Sequence, residues 1–219
     1  MKALSVSLLL GLLVTLAWCP QARAEESAEE YVNDAALWKQ LLDGKVVLLS
    51  KVPEDDTDGK EEDQHSGTAA TIIDAPIQAV WEVIDDKESA PDYIESLQSA
   101  KIIERTPEHI LIEQVMKLGP LPTVTYVVKH VPSPPHLVTF ERHSGDMQVI
   151  RGFWKLFTID NGAKTLVVYR LSLKPGFVVP NFVIRNSLKK SLPDALRAVS
   201  GQVKKRQEEA GAKKSPKTP

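Results

Sequence analysis

Between residues 100 and 174 the chain runs through about six successive stretches rich in Val, Ile, Thr and aromatic residues, and residues 180–207 then switch to an apolar period of three and four. The stretches fall at 100–105, 109–117, 123–131, 136–142, 148–160 and 165–174. They are separated by Thr106-Pro107-Glu108, Gly119-Pro120, Ser133-Pro134-Pro135, Ser144-Gly145-Asp146 and Asn161-Gly162. Separators this short connect antiparallel neighbours, and Asn161-Gly162 is the strongest turn signal among them. The helix that follows carries Val183, Ile184, Leu188, Leu192, Leu196, Val199 and Val203 on one stripe. Pro193 lies inside it, which predicts a kink or break near residues 189–192. The class is α+β: an antiparallel sheet wrapped around one long C-terminal helix, with a space between them open at one end.

The 219 residues, 26% charged and 42% hydrophobic, suffice for one large domain or two small ones, and no internal repeat or linker divides them. With 27 basic against 29 acidic residues there is no basic excess of the kind a nucleic-acid binder carries. Residues 1–24 read as a signal peptide: Met1-Lys2, an apolar run over 3–17, and the small-x-small site Ala22-Arg23-Ala24. The run is shorter than the roughly 20 residues a spanning helix needs. Cleavage after Ala24 would make the protein secreted or periplasmic. It would also remove Cys19, the only cysteine; a lipid anchor there is disfavoured by the bulky Trp18 before it.

Ahead of the strand series, Tyr31, Ala35, Leu37, Trp38, Leu41 and Leu42 predict one amphipathic helix over 25–43, and 45–52 a strand. The block PEDDTDGKEED at 53–63 reads as a solvated loop, because the calcium-loop ligand order with its central glycine is missing. A strand over 67–73 leads to a helix carrying Val80, Trp81, Val83 and Ile84, with Asp74 as expected N-cap and Pro76 at its start. A short helical segment is expected over 90–97. The parts are a signal segment 1–24, an N-terminal extension 25–66, a main domain 67–206 and a disordered basic tail 207–219.

No signature of catalysis stands out. The five histidines, His65, His109, His130, His136 and His143, show no metal-ligand spacing, and His130 and His136 read as surface residues flanking the Pro-rich turn. No nucleophile elbow or phosphate-binding glycine cluster occurs. Glu113, Arg142, Asp146, Arg151 and Arg170 are the candidate acids and bases for a cavity, although charges on strands with one solvated face point outward by default. No metal or other cofactor is expected.

Two stretches carry a family resemblance. APIQAVWEVIDDKESAPDY at 75–93 is similar to the first helix of the START-like (SRPBCC) helix-grip superfamily, with its Ala-Pro, Val-Trp and following aromatic. RGFWKLFTIDNGAKTLVVYRLSLKPGFVVPNFVIRNSLKKSLPDALRAV at 151–199 resembles its Gly-x-Trp strand, Thr-x-Val-x-Tyr strand and closing helix. The superfamily includes polyketide cyclases, coenzyme Q-binding proteins and lipid-transfer START domains. The segment PGFVVPNFVIRN is most similar to the lipid-transfer branch, in which Gly176 and Pro180 would shape the cavity mouth and Asn186 would sit early in the gripping helix. The resemblance implies an internal cavity for a lipid, quinone or similar apolar small molecule.

Strand parity places Ile110, Ile112, Gln114 and Met116 on one face, Ile150, Trp154 and Leu156 on one face, and Val167, Tyr169 and Leu171 on another. The expected ligand contacts are Tyr93, Ile112, Met116, Tyr126, Trp154, Tyr169, Phe182, Leu188 and Leu192. The apolar segment 176–184, from Gly176 through Phe177, Val178, Val179, Phe182 and Val183 to Ile184, has Lys174, Arg185, Lys189 and Lys190 nearby. It reads either as core at the sheet end or as a loop for transient contact with a membrane surface. The reading favours an exported binder that carries or presents its ligand over an enzyme. A cyclase or aromatase on the same fold and a cell-envelope interaction protein are the alternatives, the last requiring free apolar residues on the N-terminal helix.

Overall fold

The structure, a computed structural model, describes residues 27–50, 65–117 and 119–214. The signal segment, the acidic loop with its calcium reading, and the last five residues lie outside the described residues. Helices α1 (Ala28–Tyr31) and α2 (Ala35–Leu42) precede strands β1 (Val47–Leu49) and β2 (Ser66–Ile73). Helix α3 (Ile77–Asp85) and a 3-10 turn (Ala90–Asp92) lead into β3 (Leu97–Arg105), β4 (Ile110–Met116), β5 (Val124–Ser133), β6 (Leu137–Gly145), β7 (Met147–Ile159) and β8 (Lys164–Pro175). Helix α4 (Asn181–Lys214) closes the chain.

The eight strands form one antiparallel sheet in the order β1-β2-β8-β7-β6-β5-β4-β3. The six later strands make a meander of hairpins, as their short separators require. The β7–β8 turn tightens through positive φ at Asp160, Asn161 and Gly162, conformations that Asp, Asn and Gly adopt most readily. Strand β8 then reaches back to pair with β2, its register running from Ser66↔Ser172 to Ile73↔Thr165. At Gly152 on β7, a Cβ would stand 2.0 Å from the Arg170 carbonyl oxygen and 2.7 Å from the Phe140 ring, so only glycine lets β7 and β8 approach this closely.

Helix α4 lays Ile184, Leu188, Leu192, Leu196, Val199 and Val203 on the inner face, each at most 3% exposed. At its far end Arg206 donates to the Glu82 carbonyl (3.3 Å) and pairs with Asp86, joining α4 to α3. The outer face is covered on one side only. Tyr31, Val32, Leu41, Val47 and Leu49 form a second core with Ala70, Ile72, Phe153, Leu166 and Val168. The buried Lys155 Nζ lies 5.1 Å from the Tyr31 ring centroid and 4.9 Å from that of Phe153, and donates to the Tyr31 hydroxyl. Strands β2 and β8 are therefore buried on both faces, whereas β3 and β6 keep a solvated one.

Several expectations are corrected. The N-terminal helix is two helices, broken at 32–34, because the Asp34 side chain accepts from Ala36 N (2.7 Å) and Leu37 N (3.4 Å) and so starts α2 anew. Asp74 does not cap α3; it pairs with Lys164 at 3.1 Å, and Pro76 occupies the N-cap. The segment after α3 is a single 3-10 turn, since Leu97 already belongs to β3. Pro193 does not interrupt α4. The cost of about 3 kcal/mol for an internal proline is offset by the neighbouring Leu188, Leu192 and Leu196, each stabilising by about 1.5–3 kcal/mol when fully buried. The helix also continues to Lys214, through residues assigned to a disordered tail.

Candidate ligand-binding site

The inner face and α4 do not meet everywhere. Between them, closed at one side by α3 and the 3-10 turn, lies a cavity of about 100 Å³ measured over the positions open to a water centre. One water needs about 10–15 Å³ on that scale, so the space holds several waters or a compact organic group. Its walls are mostly apolar. Trp154 on β7 stacks on Tyr169 of β8 with ring centroids 3.9 Å apart and planes 13° from parallel. Phe140, Ile150, Leu171 and Val128 continue the sheet side, and Ala195 and Val199 face them from α4.

The hydroxyls on this wall are held protonated. Burial pushes the Tyr93 phenol up to about 12, and its Oη donates to the Val83 carbonyl at 3.1 Å. Burial likewise raises the Tyr126 and Tyr169 phenols, and Tyr126 Oη donates to Met116 Sδ at 3.7 Å.

Part of the lining is polar. Lys87, just beyond α3, is 6% exposed, and its Nζ donates to the Ile84 carbonyl at 2.7 Å, capping the negative end of that helix. The nearest carboxylate, Asp85, stands 3.9 Å away and is itself partly solvated. Burial lowers the Lys87 ammonium to about 8; Asp85 opposes the shift and Arg105 adds to it. His130 on β5 is 7% exposed and stacks on Phe140 at 5.5 Å. Burial, helped by the Lys87 charge, holds its imidazole well below the usual range, so the ring is neutral at pH 7. Its Nδ1 is buried without a hydrogen-bond partner, as is Ser191 Oγ on the α4 wall.

Of the residues expected to contact a ligand, Tyr93, Met116, Tyr126, Trp154 and Tyr169 line this cavity. Ile112, Leu188 and Leu192 are buried in the core behind its walls. Phe182 does not belong to the site: it is 60% exposed on the first turn of α4, because Ile184 takes the inward position. His130 is not a surface turn residue; β5 extends to Ser133 and turns the histidine inward with Tyr126 and Val128. Gln114, which parity places on the same face as Met116, also lines the cavity, and so do Lys87, Phe140 and Ser191, which the sequence reading does not single out. Parity alone would have found Phe140 and His130, whereas nothing local marks Lys87. None of the candidate acids and bases Glu113, Arg142, Asp146, Arg151 and Arg170 lines it. Asp146 instead accepts from Thr125 N at 2.8 Å, and Arg170 donates to Thr68 Oγ1 at 3.4 Å on the outer side. Among the described residues no cluster of three or more His, Cys, Asp or Glu could hold a metal.

A sheet gripping a C-terminal helix over an apolar cavity defines the START-like helix-grip class, and solved structures share it. An aromatase/cyclase, Zhui, from Streptomyces sp. R1128 superposes with a TM-score of 0.59 at 17% identity, covering 67% of this chain and 97% of that one. A START superfamily protein from Mycobacterium smegmatis gives 0.56 at 12% identity over 64% and 97%. A STAR-related lipid transfer protein from Xanthomonas axonopodis gives 0.54 at 12% identity over 73% and 92%. Residues 73–200 match the family described as polyketide cyclase/dehydrase and lipid transport, and the chain belongs to that family. No curated protein matches it in sequence.

Proposed function

We propose that this protein is an exported carrier that binds a lipid, quinone or similar apolar small molecule in the cavity between sheet and α4, without turnover. The observation that carries the reading is the cavity itself: aromatic and aliphatic walls with buried polar atoms that lack partners. Transfer of an apolar ligand from water into such a space stabilises it by roughly 25 cal/mol per Å² buried. The family description, which includes lipid transport, supports the same reading.

Export rests on residues 1–24. A transient membrane contact rests on 176–184, where Val178 is fully exposed and Phe177 and Phe182 are 36% and 60% exposed. Lys174, Arg185, Lys189 and Lys190 are exposed around them and suit anionic headgroups. The test is native mass spectrometry of the protein purified from its own envelope fraction, followed by organic extraction. About one lipid or quinone per chain supports the carrier; an empty protein that takes up no lipid from vesicles overturns it.

A cyclase or aromatase is the second reading, favoured by the presence of Lys87 and His130 inside the cavity, both with shifted acidity. It predicts release of a chemically altered ligand. The docking alternative requires free apolar residues at the N-terminus; Leu41 is fully buried and Trp38 packs on the outer core, leaving Leu42 exposed.

A further inference from the structure

Resting on the cavity as the binding site, we infer that its occupant is a hydrophobic acid: an apolar body against Trp154 and Tyr169, with a carboxylate held by Lys87 and His130, which line the same cavity. The argument starts from what is left unsatisfied. A lysine buried to 6% exposure is costly unless its charge is compensated. Its one close contact is a neutral carbonyl, Ile84 O at 2.7 Å, and Asp85 at 3.9 Å is divided between it and solvent. Two ammonium protons thus remain for another acceptor. His130, close enough to feel the Lys87 charge, is neutral and adds the unpartnered Nδ1, a donor in one of its two tautomers.

Two donors on the lining of one apolar chamber, one of them charged, fit an oxyanion of a carboxylate, and the field there already favours one. Arg105 adds positive charge and the α3 C-terminus is occupied by Lys87 itself, while among the described residues Asp85 is the one carboxylate acting on Lys87. The other titratable groups on the walls, Tyr93, Tyr126 and Tyr169, stay protonated and offer no competing negative charge. A neutral alcohol or ester would occupy the same chamber and leave the ammonium uncompensated. The cavity therefore discriminates by headgroup charge, and by apolar body only in so far as it fits.

The test is calorimetric titration of the mature protein with matched pairs, decanoate against decan-1-ol and 2-naphthoate against 2-naphthylmethanol, at about pH 7. The expected result is a preference for the acid of at least about tenfold in one pair, the scale of one hydrogen bond to a charged group. In Lys87→Met the preference, read as the ratio of acid to alcohol binding, falls to about threefold or less. His130→Gln, in which Lys87 remains, loses a smaller part of it. In the native protein the preference also falls as pH rises from about 6.5 to about 9.5 and Lys87 gives up its proton, while alcohol binding stays flat. Equal binding of acid and alcohol, or a preference unchanged in Lys87→Met, overturns the acid and leaves the carrier standing. Failure of all four probes, in a protein that also arrives without ligand, overturns both.

Discussion

Replacing Lys87 with methionine should make the protein more stable at pH 7, and the gain should vanish on the alkaline side. The Lys87 ammonium is lowered from its ordinary 10.5 to about 8 in the folded chain. At about 1.4 kcal/mol per unit, the folded state is disfavoured by about 3 kcal/mol wherever the lysine is charged in both states, that is, below the folded value. Between about pH 8 and 10.5 the unfolded chain holds more protons than the folded one, so native stability rises with pH. By about pH 10 only about 1 kcal/mol of the penalty is left. Methionine keeps the length and removes the charge, but leaves the Ile84 carbonyl without its donor, a cost of about 1–2 kcal/mol. Lys87→Met is therefore expected to be more stable by about 1–2 kcal/mol at pH 7 and no more stable, or slightly less, at about pH 10. Urea denaturation of both proteins at the two pH values reads the difference directly, and the tyrosines, which titrate in both, cancel. A variant less stable than the native protein at pH 7, or a difference that does not move with pH, would refute the account of Lys87 as an uncompensated buried charge.

Trp154→Ala removes one half of the 3.9 Å stack with Tyr169 and should weaken ligand retention by tenfold or more, whereas Leu188→Ala, one layer behind the wall, should do less and Lys164→Ala, in a solvated pair with Asp74, nothing measurable; co-purified ligand per chain is the readout. Gly152→Ala forces a methyl onto the Arg170 carbonyl and should cost at least about 2–3 kcal/mol in thermal or urea melts. Gly201→Ala, in α4 with open space around it, should instead stabilise by about 0.5–1 kcal/mol. Val178→Asp combined with Phe182→Asp should abolish co-sedimentation with anionic vesicles while leaving the melting temperature within a few degrees, because both side chains are exposed.

The strand meander and the stripe on α4 were legible because both are periodic, and parity alone placed Trp154, Tyr169 and Met116 on the inner face. His130 was legible by the same rule, being two residues beyond Val128, but the prolines at 132, 134 and 135 drew it into the turn. Strand β5 in fact runs through Pro132, which faces Val138 on β6. Phe182 went the other way: apolar composition suggested a contact, while the phase of the helix gave the inward place to Ile184. Lys87 had no local signal, because a charge in a short connection is normally solvated, and only the assembled chamber encloses it. The length of α4 was underread for a related reason: Glu, Ala and Lys at 208–214 are good helix formers, but the high charge and glycine suggested disorder.

The one-sided outer cover has a mechanical consequence. Strands β2, β8 and part of β7 are clasped between α4 and the N-terminal helices, so their amides should exchange with deuterium only when the whole domain unfolds. Strands β3 and β4 end at a free edge with solvent behind them, and belong to the part of the sheet that opens first. The wall carrying the Trp154–Tyr169 stack should therefore be the more protected from exchange, and the wall carrying Gln114 and Met116 the less protected. A ligand larger than the empty space should be accommodated by yielding of the β3–β4 side, and exchange slowed there on binding would measure how far it yields.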